Sequence, residues 1–593
     1  MKRTFKHINA FVLFSFFIFT TCSGQQSRKI VLLETTDVHG MVMPYDYIEK
    51  KVSEASLAGV EGYIRQSGLK KDELILLDNG DNLQGQPIEY YYNFIDTTSP
   101  HINSRIMNYM QYDACTVGNH DIEAGHAVYD RVRKEYKFPL LAANAVVTKS
   151  GKPYFEPYTI IKRKGLKIAV FGMVTPSIPD WLPPELYSGM EFRDMVETAR
   201  KWMPVILAEK PDLVVGLFHS GWDKSYDPVK NNYHRENGSA AVAYFVPGFD
   251  VIFTGHDHGT ACEKIVNRAG DTVLVLDGGS HAEKIARADI TIYGKKREGR
   301  TGHISAGTLV NVKDYRPDNE YLSLCSGYDK SVRGYVDRVI GESTSTISSR
   351  DSYFGPSAFT SLIHNIQLEV SGADISFAAP LSFDVEIPEG KITVGDMFKL
   401  YRFENMLYTI SLTGSEIQKY LEFSCSVWFK TMKNADDHLI EFKTGTDGRP
   451  ALTGGRARLK NQAYNFDSAA GIEYTVDVSK PAGQRITITG FSDGRPFDQA
   501  KRYRVAVNSY RGSGGGGHFF EGAGLSREDL GSRLISSTDK DLRYYIMKYI
   551  ERMKVVSPVT LNNWKVVPEE WIRNAKISDY VLMFGPSGTR SQK

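Results

Sequence analysis

Cysteine is scarce in this chain: there are five in 593 residues, and no two stand at C-x-x-C spacing. That excludes a zinc–thiolate site, which is built from such pairs. Net charge is scarce too. The 72 basic residues nearly cancel the 70 acidic ones, leaving +2, so no general attraction to nucleic acid or to an anionic membrane follows. Beyond the N-terminal segment no apolar run is long enough to cross a bilayer. The glycine-rich stretch Gly512-Ser513-Gly514-Gly515-Gly516-Gly517-His518 lacks the closing Gly-Lys-Ser/Thr of a P-loop. It reads as a bare linker or, better, as a place where glycines let the backbone pass close to a bound group.

What is present is a soluble globular composition, 41% hydrophobic and 24% charged, in a chain too long for one ordinary core. Two or more domains are expected. The N-terminus reads as a processing segment: Lys2, Arg3 and Lys6, then the apolar run Phe11 to Phe19, then Thr20-Thr21-Cys22. It resembles a bacterial lipoprotein signal spanning residues 1–22, with Cys22 as the acylated mature N-terminus. Lipid there would tether an otherwise soluble protein. Plain secretion with cleavage nearby is the alternative. Cys115, Cys262, Cys325 and Cys425 are scattered, and Cys115 suits a small core position.

Short apolar runs recur through the first half, and each ends in polar residues of one kind. Ile30 to Thr36 runs into Asp37-Val38-His39-Gly40. Asp and His at alternate positions of an extended chain point the same way and can reach one metal. Leu74 to Asp78 runs into Asn79-Gly80-Asp81, where a carboxylate has oxygens enough for two cations. Thr116-Val117-Gly118-Asn119-His120-Asp121-Ile122-Glu123 sets an amide beside an imidazole. Leu213 to Phe218 ends at His219, and Val251 to Gly255 at His256-Asp257-His258. Leu166 to Met173 is a further strand without an obvious ligand, and Ala199 to Ala208 reads as a helix. Strands alternating with helices predict an α/β core, in which sites lie at strand ends. A lone histidine is more often a satisfied surface residue than a ligand. Five successive strand ends carrying ligands change that, because two divalent metals sharing Asp81 account for the whole set.

With these motifs the chain resembles the calcineurin-like metallophosphoesterases, and within them the secreted two-domain nucleotidases. The resemblance implies a four-layered α/β catalytic domain with two metals. The first would be held by Asp37, His39, Asp81 and His258, the second by Asp81, Asn119, His219 and His256. N- and O-ligands suit Zn, Mn, Fe or Co. Such metals, about 3.5–4 Å apart, activate a water and neutralise phosphoryl oxygens. His120 would protonate the leaving ribose oxygen. Its supporting carboxylate would be Glu123, where many relatives carry an aspartate.

The metallophosphoesterase catalytic domain is expected over 28–318, a linker helix over 319–345, and an α/β nucleotidase substrate-binding domain over 346–575. A polar, frayed tail would run from 576 to 593. The joining helix is read over Tyr321 to Ile340, and a further helix over Ser357 to Val370. In the second domain Phe403 and Tyr510 match the two walls of the family's base clamp. Asn405 could hydrogen-bond a base edge, and Arg511 could contact phosphate. The arginine that 5′-nucleotidases carry in the turn after Phe377 is absent from Ala378-Ala379-Pro380-Leu381-Ser382-Phe383. That resembles the branch of 2′,3′-cyclic-nucleotide 2′-phosphodiesterases/3′-nucleotidases. The expected activity is hydrolysis of those nucleotides, with no nucleic-acid polymer as partner. The alternatives are a 5′-nucleotidase or UDP-sugar hydrolase, and a non-catalytic surface nucleotide-binding protein.

Overall fold

The computed structural model of the chain describes residues 27–585, less 228, 231, 298 and 299, with residues 294–301 by backbone alone. The leader with Cys22 and the last eight residues, 586–593, lie outside the described residues. Among the described residues no helix is long and apolar enough to cross a membrane.

Two six-stranded sheets build the first half. In one, Arg28–Thr35, Leu74–Asp78, Ala114–Thr116 and Leu140–Leu141 run parallel, and the hairpin Lys284–Arg297/Arg300–Asn311 adds antiparallel to Arg28–Thr35. In the other, Leu166–Val174, Leu213–His219, Val251–Thr254 and Thr272–Asp277 run parallel between two antiparallel edge strands. Successive side chains of a strand point to opposite faces, and the burial follows that alternation. Ile30, Leu32, Ile75 and Leu77 meet Ile168, Val170, Val215 and Leu217 between the sheets. Val31, Leu33 and Leu76 face an outer layer of helices that includes Asn319–Val336. Ala169 and Phe171 face another, built on Met195–Ala208 and Ser239–Phe245. The result is four layers, helix–sheet–sheet–helix. Fully burying one such aliphatic side chain contributes about 1.5–3 kcal/mol. The parallel strands of both sheets bring their carboxyl ends to one edge.

The joining segment departs from the expected helix. Asn319–Val336 is helical and buries Tyr321, Cys325, Val332 and Val336 in the first domain's core. Val339 and Ile340 instead open the strand Val339–Ser343, which pairs with Gly390–Thr393 and Val555–Val556. Two β-branched residues suit that pairing better than a helix end. The second half centres on a five-stranded sheet in the order Ser468–Ala470, Ile375–Ala378, Arg502–Asn508, Met406–Thr413, Leu534–Asp541. The helix Ala358–Ser371 starts on Ser357, whose hydroxyl accepts from the Thr360 N–H. The stretch from Lys576, expected to fray, is helical within Glu569–Phe584. It stays ordered because Met583 and Phe584 are buried and Asp579 accepts from the Leu439 and Ile440 N–H groups at 2.8 and 3.0 Å.

The domains meet through buried groups. Tyr90 of the first donates to Asp541 of the second at 3.0 Å, and the Arg543 guanidinium lies 5.0 Å from the Tyr90 ring centre. Farther out, Arg527 donates to the Pro179 carbonyl at 2.8 Å.

His364, inside the second domain, has the Ser376 and Ser468 hydroxyls 2.9 and 3.1 Å from its ring nitrogens. Burial pulls its pKa from 6.5 down to about 4. The unfolded chain therefore binds a proton that the folded one refuses, so stability is lost as pH falls from 6.5 towards 4. The difference is worth about 3 kcal/mol. In chelator-treated protein the urea midpoint is expected to drop over that window. His364→Asn is expected to flatten the drop; an unchanged slope would remove His364 as its source.

Candidate metal centre

Seven side chains proposed from strand ends converge where the two sheets present their carboxyl edges. Asp37, His39 and His258 form one group, and Asp81, His219 and His256 form another, each with its ligand atoms within 4.8 Å of one another. Asn119 joins the second: its Oδ1 lies 3.1 Å from His219 Nε2 and 2.8 Å from His256 Nδ1. Asp81 stands between the groups, with Oδ2 3.1 Å from His219 Nε2 and 4.0 Å from His39 Nε2.

The local backbone is bent to achieve this. Asp37, His39, Asp81, His256 and His258 all have φ between +48° and +78°. Side-chain-bearing residues avoid that region, and its strain persists where the surroundings over-determine it. Here Asp121 supplies part of the restraint. Its buried carboxylate accepts the N–H groups of Asp81, Asn82, Leu83 and Gly118 at 2.8–3.0 Å. Asp121 therefore holds the loops that carry Asp81 and Asn119 and does not touch His120.

The donors fit divalent cations. His39 Nδ1 donates to the Gln84 carbonyl at 3.2 Å and His219 Nδ1 to the Asn79 carbonyl at 2.6 Å. Each arrangement leaves Nε2 to offer a lone pair inward. His39 Nε2 then faces His258 Nε2 at 3.0 Å, and the fully buried Asp37 Oδ1 has no hydrogen-bond partner. An unpartnered buried carboxylate oxygen beside two ring nitrogens is costly unless a cation lies among them. Burial would lower His219, but Asp81 and Asp37 push it up to about 10. Metal binding at such a ligand releases its proton.

His120 lies beside this centre on the short helix Asn119–Glu123. Its Nδ1 is paired with Glu123 Oε2, and its N–H donates to Asp81 Oδ1 at 2.8 Å. Burial opposes protonation, but Asp81 and Glu123 raise its pKa to about 9. The longer arm of glutamate thus reaches the ring. A cavity of about 250 Å³ opens from His120, Asn119 and His256. The second domain supplies its other walls: Phe403, Asn405, Tyr464, Asn508 and Tyr510. Arg511 does not reach it. Its guanidinium is spent on Asp467 at 3.0 Å, the carbonyls of Tyr464 and Gly515, and Asn465. It braces the Tyr464 and Tyr510 loops from behind and has no donor left for phosphate.

Several groups here were invisible in the sequence. Trp181 stacks on the His256 ring with centroids 5.5 Å apart, and Glu236 Oε1 lies 3.3 Å from His256 Nε2. Both come from loops without a motif. Asn79 and Gln84 act through backbone carbonyls, which leave no side-chain signature.

Two imidazole–carboxylate groups with Asp81 between them, and the His120 imidazole beside them, form the centre of a metal-dependent phosphoester hydrolase. Residues 30–260 match the calcineurin-like phosphoesterase family and residues 339–522 the 5′-nucleotidase C-terminal domain family. The chain is 26% identical to a Haemophilus influenzae protein named 2′,3′-cyclic-nucleotide 2′-phosphodiesterase/3′-nucleotidase, over 93% of this chain and 89% of that one. It is also 26% identical, over 92% of its length, to a trifunctional nucleotide phosphoesterase of Bacillus subtilis, of which it spans 39%. The fold is that of a 5′-nucleotidase precursor from Thermus thermophilus, with a TM-score of 0.60, 21% identity, and coverage of 91% of this chain and 100% of that one.

His120→Ala is expected to lower turnover by about 10²–10⁴-fold with metal content unchanged. Asp81→Asn is expected to lose metal itself. Elemental analysis alongside initial rates checks both. Near wild-type turnover in His120→Ala would take the acid role from this residue.

Proposed function

We propose that the chain hydrolyses 2′,3′-cyclic nucleotides and 3′-nucleotides with two divalent ions drawn from Zn, Mn, Fe and Co. The observation that carries this reading is the makeup of the clamp pocket. Phe403 and Tyr510 line it together with His120, and among the described residues no lysine or arginine does, while Glu123 and Glu236 do. An uncharged nucleoside suits such walls, and a terminal phosphate does not. The phosphate then belongs at the ligand groups, with the ribose oxygen towards His120. The name of the Haemophilus influenzae relative agrees with this.

The ions, when bound, neutralise phosphoryl oxygens and make a water nucleophilic near neutral pH. The chain's own residues do the rest. Phe403 and Tyr510 hold the base by stacking, worth about 1–3 kcal/mol per base. Asn405 is placed to meet a base edge. Glu123 orients the His120 ring, and His120 gives its proton to the departing ribose oxygen.

Phe403→Ala and Tyr510→Ala are each expected to raise KM by about tenfold or more, with a smaller effect on kcat. Initial rates on 2′,3′-cyclic AMP, 3′-AMP and 5′-AMP with added Mn or Zn rank the substrates. Faster cleavage of 5′-AMP would reverse the order proposed.

We also place the enzyme outside the cytoplasm, held by lipid at Cys22, on the N-terminal pattern of Lys2, Arg3, Lys6 and Phe11 to Phe19. Cys22→Ala is expected to abolish radiolabelled palmitate incorporation and to move the protein from the membrane to the soluble fraction. Unchanged fractionation would exclude the anchor.

A further inference from the structure

The clamp pocket reaches the second ligand group through Asn119 and His256. A far larger cavity, about 1090 Å³, lies between the domains and comes beside the first ligand group at His281, with none of the ligand residues in its own lining. The two share no lining residue. The contact point is His281, whose ring centre lies 5.6 Å from that of His39 and 6.0 Å from that of His258. Its N–H donates to the Asp37 carbonyl at 2.8 Å, and φ at His281 is +57°. The left-handed backbone is held there by the same loop that shapes the metal centre.

The charge of this cavity is arranged. Lys399 is partnered by Glu49 at 4.0 Å. Arg402, Lys51, Lys284 and Lys313 line the cavity with no carboxylate within salt-bridge distance among the described residues. The carboxylates of Asp46, Glu54 and Glu283 line it too. Arg402 is the cation nearest in sequence to the clamp, since the next residue is Phe403.

A phosphodiester has two ester groups on one phosphorus. If the clamp takes the nucleoside and the ligand groups take the phosphate, the other group needs space beside the first ligand group. We propose that the large cavity is a second subsite, which receives that other ester group of a nucleoside 3′-phosphodiester, and that Arg402 favours a negatively charged one. This rests on the nucleoside assignment of the clamp. In the reaction an oxygen from water bonds to phosphorus and one of the water's protons leaves to solvent. The bond from phosphorus to the nucleoside 3′ oxygen breaks, and His120 protonates that oxygen. The products are a nucleoside and a phosphomonoester that stays in the large cavity until release.

Two adenosine 3′-phosphodiesters of equal chain length test this, a butyl ester and a 3-carboxypropyl ester, with 3′-AMP as reference. The carboxypropyl ester is expected to show a kcat/KM about tenfold above the butyl ester, the scale of one charge-assisted contact. Arg402→Gln is expected to bring the ratio near one and leave 3′-AMP turnover unchanged, while Arg402→Lys keeps much of the preference. A ratio near one in the wild type, or one that survives Arg402→Gln, overturns the subsite. So does failure to cleave either diester while 3′-AMP is hydrolysed. Failure on 3′-AMP itself would instead overturn the nucleoside assignment, and the subsite with it.

Discussion

One carboxylate organises the first domain. Asp81 is buried between two sets of imidazoles, its Oδ2 facing His219 and His39 and its Oδ1 accepting the His120 N–H. Burial alone would raise its pKa, but His219 and His120 hold it well below the usual carboxylate range. A buried anion is tolerated only when paired and hydrogen-bonded. That requirement fixes the rest: the edge where both sheets end, the left-handed turns at five ligands, and the buried Asp121 that ties the two loops together. Removing Asp121 would leave four N–H donors without their acceptor, although it is far from any reacting atom in role.

The second domain completes the site from outside the metal centre. Phe403, Asn405 and Tyr510 come from segments more than 250 residues beyond the Asn119–Glu123 helix, yet they share one pocket with His120. The buried Tyr90–Asp541 hydrogen bond and the Arg543 guanidinium over Tyr90 hold that arrangement. Just behind the clamp, Glu404 pairs with Arg543 at 3.0 Å. Burial and nearby Glu123 lift Glu404 to about 7, so the carboxylate that supports His120 is felt across the domain boundary.

Much of this was legible in one dimension. A run such as Ile30 to Leu33 is apolar on both faces because it is covered on both, and that pattern alone marks a buried strand. The polar residues after it must then lie at the strand end, so repetition of Asp, His and Asn there reads as a metal centre. Arg511 was not legible. A lone arginine beside a glycine loop looks the same whether its partner is phosphate or the buried Asp467. Nor was the helix Glu569–Phe584, whose buried Asp579 and Phe584 are covered by residues far away in sequence.

The sequence by itself determined which residues could bind metal, because strand periodicity places their side chains without reference to the rest of the chain. Only the tertiary structure decided what they meet. Distances between His39 and His258, or between His120 and Phe403, depend on how sheets stack and domains dock. Those arrangements come from summed burial over many residues, and no local motif records them.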